Sequence, residues 1–237
     1  MQDSRWFRCP HPARHPLPHR ATSKLLAILL LGFVALFGLG APKAGAESSG
    51  AADLAPRVAL HTAQGDIVVE LDAVHAPVTT ANFLHYVDQK RYDGATFYRT
   101  VPIGDDGKYG MLQGGLYGSK TPAFKPIAHE STAVTGLHHV DGTISMGRNA
   151  PGTAASEFFI VMGDLTALDA TDSDPGYAAF GHVTSGMELV HELLAMPHRP
   201  DDGKSAISGQ LLATPVKILS ARRVPVPVPA STPPAAP

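Results

Sequence analysis

The chain has 237 residues, 44% hydrophobic and 17% charged, with a formal charge of −2, which suits one folded domain and excludes a disordered or fibrous chain. A single cysteine excludes a disulfide scaffold, and no basic cluster marks a surface for nucleic acid.

The first segment reads as an address. Arg20 and Lys24 precede an apolar run from Leu25 to Leu39, and Ala44-Gly45-Ala46 then supplies a small-x-small cleavage site. The run is shorter than the roughly 18–20 residues that span a bilayer. The expectation is therefore export to the periplasm with cleavage after Ala46. The competing expectation is an uncleaved signal that anchors the chain in the inner membrane. Cys9 lies before the apolar run, where a lipoprotein cysteine would lie just after it, so no lipid anchor is expected. Without residues 1–46, Lys+Arg falls from 19 to 13 and Asp+Glu from 21 to 20, and the formal charge moves from −2 to −7. Such an acidic surface argues against a nucleic-acid partner.

Residues 57–71 (RVALHTAQGDIVVEL) alternate apolar and polar on either side of Gln64-Gly65-Asp66, which predicts a hairpin. Pro77 follows, and Val78, Phe83, Leu84 and Val87 recur with helical spacing. Proline suits a first helical turn, where its missing N–H would have had no partner. This helix is expected to stop near Arg91-Tyr92-Asp93-Gly94. Four short β-rich runs come next: ATFYRTV, GTISMG, EFFIVM and AAFGHV. A second helix is predicted after Gly186, with Met187, Leu189, Val190, Leu193 and Leu194 apolar. A final strand, VKILSARRV, closes the domain, and the proline-rich VPVPVPASTPPAAP after it has too little to bury and is expected to be disordered and extended. The expected organisation is a leader over 1–46, one domain over 55–224 and a tail over 225–237. Many short strands with only two helices predict a mainly β fold, a closed antiparallel barrel capped at its ends by the two α-helices.

Five motifs lie along this domain: Phe97-Tyr98-Arg99; Met111-Leu112-Gln113-Gly114-Gly115; Gly142-Thr143-Ile144-Ser145-Met146; Ser156-Glu157-Phe158-Phe159-Ile160; and Phe180-Gly181-His182-Val183. Together with the opening hairpin and the Ala76-Pro77-Val78…Asn82-Phe83 helix start, their order and spacing over roughly 57–222 resemble the cyclophilin-type peptidyl-prolyl cis-trans isomerases. The resemblance implies a cyclophilin-like barrel and an enzyme that rotates X-Pro bonds. That chemistry needs no nucleophile, proton relay or cofactor, and none is expected. It needs a dry pocket for the proline ring and a cation near the prolyl nitrogen as its lone pair localises. Arginine suits the second role because it stays charged and its fork also holds a carbonyl.

By resemblance, Arg99 is the catalytic residue. Met111, Phe159 and Leu168 are expected to line the proline pocket, and Gln113 to orient the peptide backbone. Gly147, Arg148 and Asn149 match a stretch along the substrate groove, where the backbone of Arg148 is expected to hold the peptide and its side chain to be free to vary. Tyr177 stands where the family contacts the substrate carbonyl. Proline-containing, unfolded or flexible polypeptides are the expected partners, with no stable membrane insertion after signal cleavage, and the protein is expected to be a monomer.

Three departures bear on this. Gly110 replaces the usual aromatic residue before Met111, and Tyr109, in the longer insert IGDDGKYG, is a candidate to swing in for the missing ring. Glu157 stands where glutamine is usual, and is expected to pair with Arg99 and restrain it. Ala167 precedes Leu168 where an aromatic residue is usual. These departures favour an alternative from another class, a cyclophilin-fold peptide-binding module or holdase with weak turnover. His191-Glu192-Leu193-Leu194-Ala195 resembles the start of a zinc-protease motif but lacks the second histidine, and His138-His139 would diverge on a strand, so no metal is expected.

Overall fold

The structure is a computed structural model that describes residues 55–104 and 107–225; the leader over 1–46 and the tail beyond Pro225 lie outside the described residues. The opening alternation folds as read. Strands β1 (Arg57–Thr62) and β2 (Asp66–Leu71) pair with Val58 opposite Val69 and Leu60 opposite Ile67. These four side chains are fully buried. The Thr62 N–H and hydroxyl both donate to the Gly65 carbonyl, at 2.9 and 2.8 Å, and close the turn.

Six further strands complete the barrel: β3 (Thr96–Ile103), β4 (Tyr109–Gly115), β5 (Thr143–Met146), β6 (Phe158–Met162), β7 (Ala178–Ser185) and β8 (Leu211–Val224). They close in the order β1-β2-β7-β5-β6-β4-β3-β8, and every pairing is antiparallel. Helix α1 (Pro77–Asp88) leaves the Leu71 end of β2, and α3 (Met187–Leu194) packs near the opposite, Gly65 end, where Leu189 approaches that glycine. The two helices therefore cap opposite ends of the barrel. Two short elements had no counterpart in the sequence pattern: α2 (Thr132–Thr135) and a 3-10 turn (Thr166–Leu168).

Phe83 carries the α1 cap into the core. Its ring meets Phe158 edge-on at 5.4 Å and lies 5.3 Å from Phe180 and 5.2 Å from Tyr92. Burying each such ring stabilises the fold by roughly 1.5–3 kcal/mol. The buried Tyr92 hydroxyl donates to the Ser156 carbonyl at 3.0 Å, so its polar end is not left unpaired. Ala76 offers α1 no side-chain cap. The carboxylate of Glu130 does this instead, accepting the Val78 N–H at 3.0 Å and the Thr79 N–H at 2.7 Å. The helix ends at Asp88, short of the expected Arg91–Gly94, because Lys90 adopts a positive φ of 54° and turns the chain.

Strand β8 begins earlier than the sequence pattern indicates, at Leu211 instead of Val216. Phe97 pairs with Val216, but Arg99 pairs with Leu211, so residues 212–215 bulge out where Pro215 has no N–H to give the ladder. Gly110 also has a local cause. A Cβ there would stand 2.7 Å from the Val101 carbonyl oxygen and 2.9 Å from both methyl groups of Leu194. The place of a side chain is thus filled by α3. Tyr109 does not substitute for a missing ring. It is 42% exposed and lies against Gly163, away from the groove described below.

Restoring an aromatic residue at this position is accordingly expected to harm the fold. Gly110→Phe should lose about 1–3 kcal/mol in urea unfolding. Leu194→Ala should cost less in that background than in the wild type, because it vacates the same space. Equal costs in the two backgrounds would show that Leu194 does not exclude the ring.

Candidate active site

The groove follows from strand periodicity. Side chains two apart share a face, so Arg99 and Val101 on β3, Met111 and Gln113 on β4, and Phe159 on β6 all leave the barrel on its outer side. Register aligns them further. Arg99 sits opposite Gln113, Gln113 opposite Phe159, and Phe159 opposite Ser145, one row across four strands. Gly147, Arg148 and Tyr177 complete the lining of this pocket. Asn149 and Glu157 line its continuation with Tyr98, Tyr117 and Ile207. Val101 was not among the expected residues, although its spacing of two from Arg99 was the available signal.

Leu168 lies beside the pocket wall, next to Tyr177. It ends the 3-10 turn, and its carbonyl accepts the Tyr177 N–H at 3.0 Å. Tyr177 closes that side of the pocket, its ring meeting Phe159 edge-on at 5.4 Å.

Arg99 is half-buried and held from two sides. Its Nη1 donates to Gln113 Oε1 at 2.7 Å, while Nε and Nη2 donate to Gln210 Oε1 at 2.9 and 2.5 Å. Burial lowers its pKa from the usual arginine value, yet a guanidinium remains charged at any physiological pH. Both partners are neutral amides, so the positive charge is oriented without being cancelled.

The expected pair between Glu157 and Arg99 does not form. Glu157 turns toward the backbone that follows β4: Oε1 accepts the Leu116 N–H at 2.9 Å and the Ser156 hydroxyl at 3.0 Å. Oε2 is buried without a full hydrogen bond, although the Tyr98 hydroxyl interacts with the carboxylate. A Cβ on Gly115 would fall 2.6 Å from Oε2, so the carboxylate fills space that only a glycine leaves open. Burial is the largest influence on Glu157 and raises its pKa, against opposing hydrogen bonds from Tyr98, Ser156, Leu116 and Tyr117.

Arg148 also differs from expectation. Its side chain is only 8% exposed and is held through Nε and Nη2. Nε and Nη2 both donate to the Gly176 carbonyl, Nη2 reaches Asp174 at 3.3 Å, and the guanidinium lies 4.7 Å from the centre of the Tyr177 ring. The side chain therefore clamps the loop that presents Tyr177, and it is not free to vary.

Behind Phe159 lies a buried polar triad. His139 Nδ1 is 2.6 Å from Asp169 Oδ1, and its Nε2 is 2.9 Å from Ser145 Oγ. A carboxylate only accepts, so Nδ1 carries the proton and Nε2 accepts from the serine. The arrangement resembles a nucleophilic triad, but Ser145 and His139 are both fully buried, so neither opens onto the groove. Burial also lowers the His139 pKa, which keeps the ring neutral, and Phe159 stacks parallel to it at 6.0 Å. His138 and His139 do not diverge as expected on a strand. They lie in a loop, and both rings reach Asp169. Among the described residues, no group of three or more His, Cys, Asp or Glu side chains could hold a metal ion.

Glu157 makes a pH-dependent prediction. A carboxyl that holds its proton more tightly in the native state adds stability at low pH and loses it as pH rises through its native pKa. Glu157→Gln keeps the Oε1 acceptor and carries no buried charge. It should therefore be more stable than wild type at neutral pH, on the order of 1 kcal/mol, with the gain shrinking under acidic conditions. Urea denaturation at the two pH values checks this, and a gain that grows on acidification would contradict it.

The profile of the cyclophilin type peptidyl-prolyl cis-trans isomerase/CLD family matches residues 57–222. Peptidyl-prolyl cis-trans isomerase A of Dickeya dadantii is 38% identical over 146 residues, 60% of this chain and 73% of that protein. A peptidyl-prolyl cis-trans isomerase of Acinetobacter baylyi is 34% identical over 167 residues, 69% of this chain and 82% of that protein. The crystal structure of a Cryptosporidium parvum cyclophilin shares the fold, with a TM-score of 0.59 at 20% identity, covering 73% of this chain and 99% of that one. A closed eight-stranded barrel, the groove on its outer face and these relatives agree: the chain belongs to the cyclophilin-type peptidyl-prolyl cis-trans isomerases.

Proposed function

We propose that this enzyme accelerates X-Pro isomerisation in exported polypeptides as they fold, with Arg99 as the catalytic residue. The observation that carries the reading is the state of the Arg99 guanidinium. Three of its five N–H groups are taken by Gln113 and Gln210, which leaves two for a substrate. The proline ring would lie on Met111, Phe159 and Val101, with the prolyl nitrogen toward Arg99.

Rotation about the prolyl amide costs its C–N resonance, and uncatalysed bonds take tens to hundreds of seconds to isomerise. As resonance is lost, the lone pair localises on nitrogen, and a nearby guanidinium stabilises that state more than either planar isomer. Gln113, opposite Arg99 in the sheet, supports the substrate backbone, and Tyr177 stands at the far wall for its carbonyl. The apolar run and cleavage pattern before residue 47 support a periplasmic location, and unfolded exported chains supply exposed X-Pro segments there. A closed barrel has no free strand edge for pairing, which supports a monomer.

The holdase alternative drew on Gly110, Glu157 and Ala167. Gly110 is filled by Leu194 and Glu157 is turned away from Arg99, so two of these three departures leave the guanidinium unaffected.

Arg99→Ala is expected to lower kcat/KM for an X-Pro peptide about 100-fold or more in a protease-coupled assay, with an unchanged circular dichroism spectrum. Activity equal to wild type would favour the binding-module reading. For export, N-terminal sequencing of the periplasmic product should begin at Glu47, and an intact Leu25–Leu39 run in the membrane fraction would refute cleavage.

A further inference from the structure

Gln210 belongs to no motif. It ends the segment between α3 and β8, and its side-chain oxygen receives two of the three hydrogen bonds that Arg99 makes within the protein. We propose that Gln210 is a positioning residue for the isomerase reaction, fixing the plane and reach of the Arg99 guanidinium while leaving its charge intact. This rests on the reading of Arg99 as the catalytic group.

The backbone around Gln210 is built to hold it there. Its carbonyl accepts the Thr100 N–H at 3.1 Å, and its own N–H donates to Ile207 at 3.1 Å. The same segment is tied down at its other end. His198 Nε2 lies 2.6 Å from Thr100 Oγ1, the Arg199 N–H donates to Leu211 at 2.7 Å, and the Ala213 N–H donates to Pro197 at 2.8 Å. Gln210 is therefore fixed to the strand that carries Arg99, one residue from it, and cannot drift independently.

The contact is also specific in direction. Gln113 holds only Nη1, an arrangement that still allows the fork to swing about that point. An acceptor shared by Nε and Nη2 fixes the opposite edge, and two edges define the plane. An amide oxygen does this without forming an ion pair. Among the described residues, the one carboxylate that lines the groove beside Arg99, that of Glu157, is committed to Leu116 and Ser156.

Two variants and one spectroscopic signal test the role. Gln210→Ala should lower kcat/KM about tenfold, the loss expected for a pair of orienting hydrogen bonds. Gln210→Glu should approach wild type at acidic pH, where the protonated carboxyl still offers a carbonyl acceptor. It should fall progressively below wild type as pH rises and the carboxylate pairs with Arg99. The readout is the ratio to wild type at each pH, so titration of Glu157, His139, His198, Tyr98 and Tyr177 around the groove and β3 is common to both proteins. A merely structural glutamine would shift the melting temperature and leave this ratio flat. In nitrogen-15 spectra, the Arg99 Nε–H signal, assigned by its loss in Arg99→Ala, should shift and exchange faster with water in Gln210→Ala.

Wild-type kcat/KM in Gln210→Ala, a flat ratio for Gln210→Glu, or an unmoved Nε–H signal would each overturn the proposal. An inactive wild type, or an active Arg99→Ala, would instead overturn the catalytic reading of Arg99 and the proposal with it.

Discussion

Register in a closed sheet is the constraint on which everything else here depends. A strand has two faces, and in this barrel one packs on Phe83, Phe97, Phe158 and Phe180 while the other is free to carry function. β3 carries an extra residue at Tyr98, which lets Phe97 face the core and Arg99 the groove, and a slip of one residue beyond it would turn Arg99 and Val101 inward. Closure forbids that slip, because each strand is paired on both sides and a shift at one seam must travel round all eight strands. The row Arg99, Gln113, Phe159, Ser145 is therefore a product of the barrel and not of any one loop. Loops then add the parts that need not be in register: Gly147 and Arg148 after β5, Tyr177 before β7 and Gln210 before β8.

The polar groups around this row divide by charge. Those touching Arg99 are neutral acceptors, and the acidic groups are spent elsewhere. Glu157 stabilises the turn after β4, Asp169 holds two histidines, and Asp174 supports Arg148. A positive charge half-removed from water and facing only amides keeps its field for whatever enters the groove. The neutral His139 behind Phe159 adds nothing to that field, yet satisfies Ser145 and so lets the row end in a packed, fully bonded interior.

What the sequence made legible is what repeats locally. The hairpin over 57–71 showed as period-two alternation, α1 as a proline-led helical spacing, and the groove strands as five ordered motifs. The parts that escaped are contacts between distant residues. Nothing near Gln210 announces that a bulge within β8 brings it onto Arg99, 111 residues away in the chain. Glu157 was expected to pair with Arg99, but it accepts the Leu116 N–H and the Ser156 hydroxyl, contacts that no motif announces. The side-chain clamp of Arg148 was not legible because motif comparison carries no information about the loop at Gly176 that it meets. The edge-on contact of Tyr177 with Phe159 likewise joins residues 18 apart in the chain that no local pattern connects.

The cap on α1 has a consequence for how the chain folds. Its N-terminal turn is completed by Glu130, some fifty residues later, and the arm that brings Glu130 in is itself pinned by Arg91 to Pro122 and by the Phe124 N–H to the Tyr86 hydroxyl. A twelve-residue helix with no local cap is marginal on its own. It gains its first turn only after the chain has passed through β3 and β4 and returned. Helix and arm thus form one cooperative unit with a long loop to close, so formation of α1 is deferred until the barrel wall is substantially assembled. In the native state the same linkage makes helix and arm open and close to solvent together, a shared seam in a molecule whose strands have none.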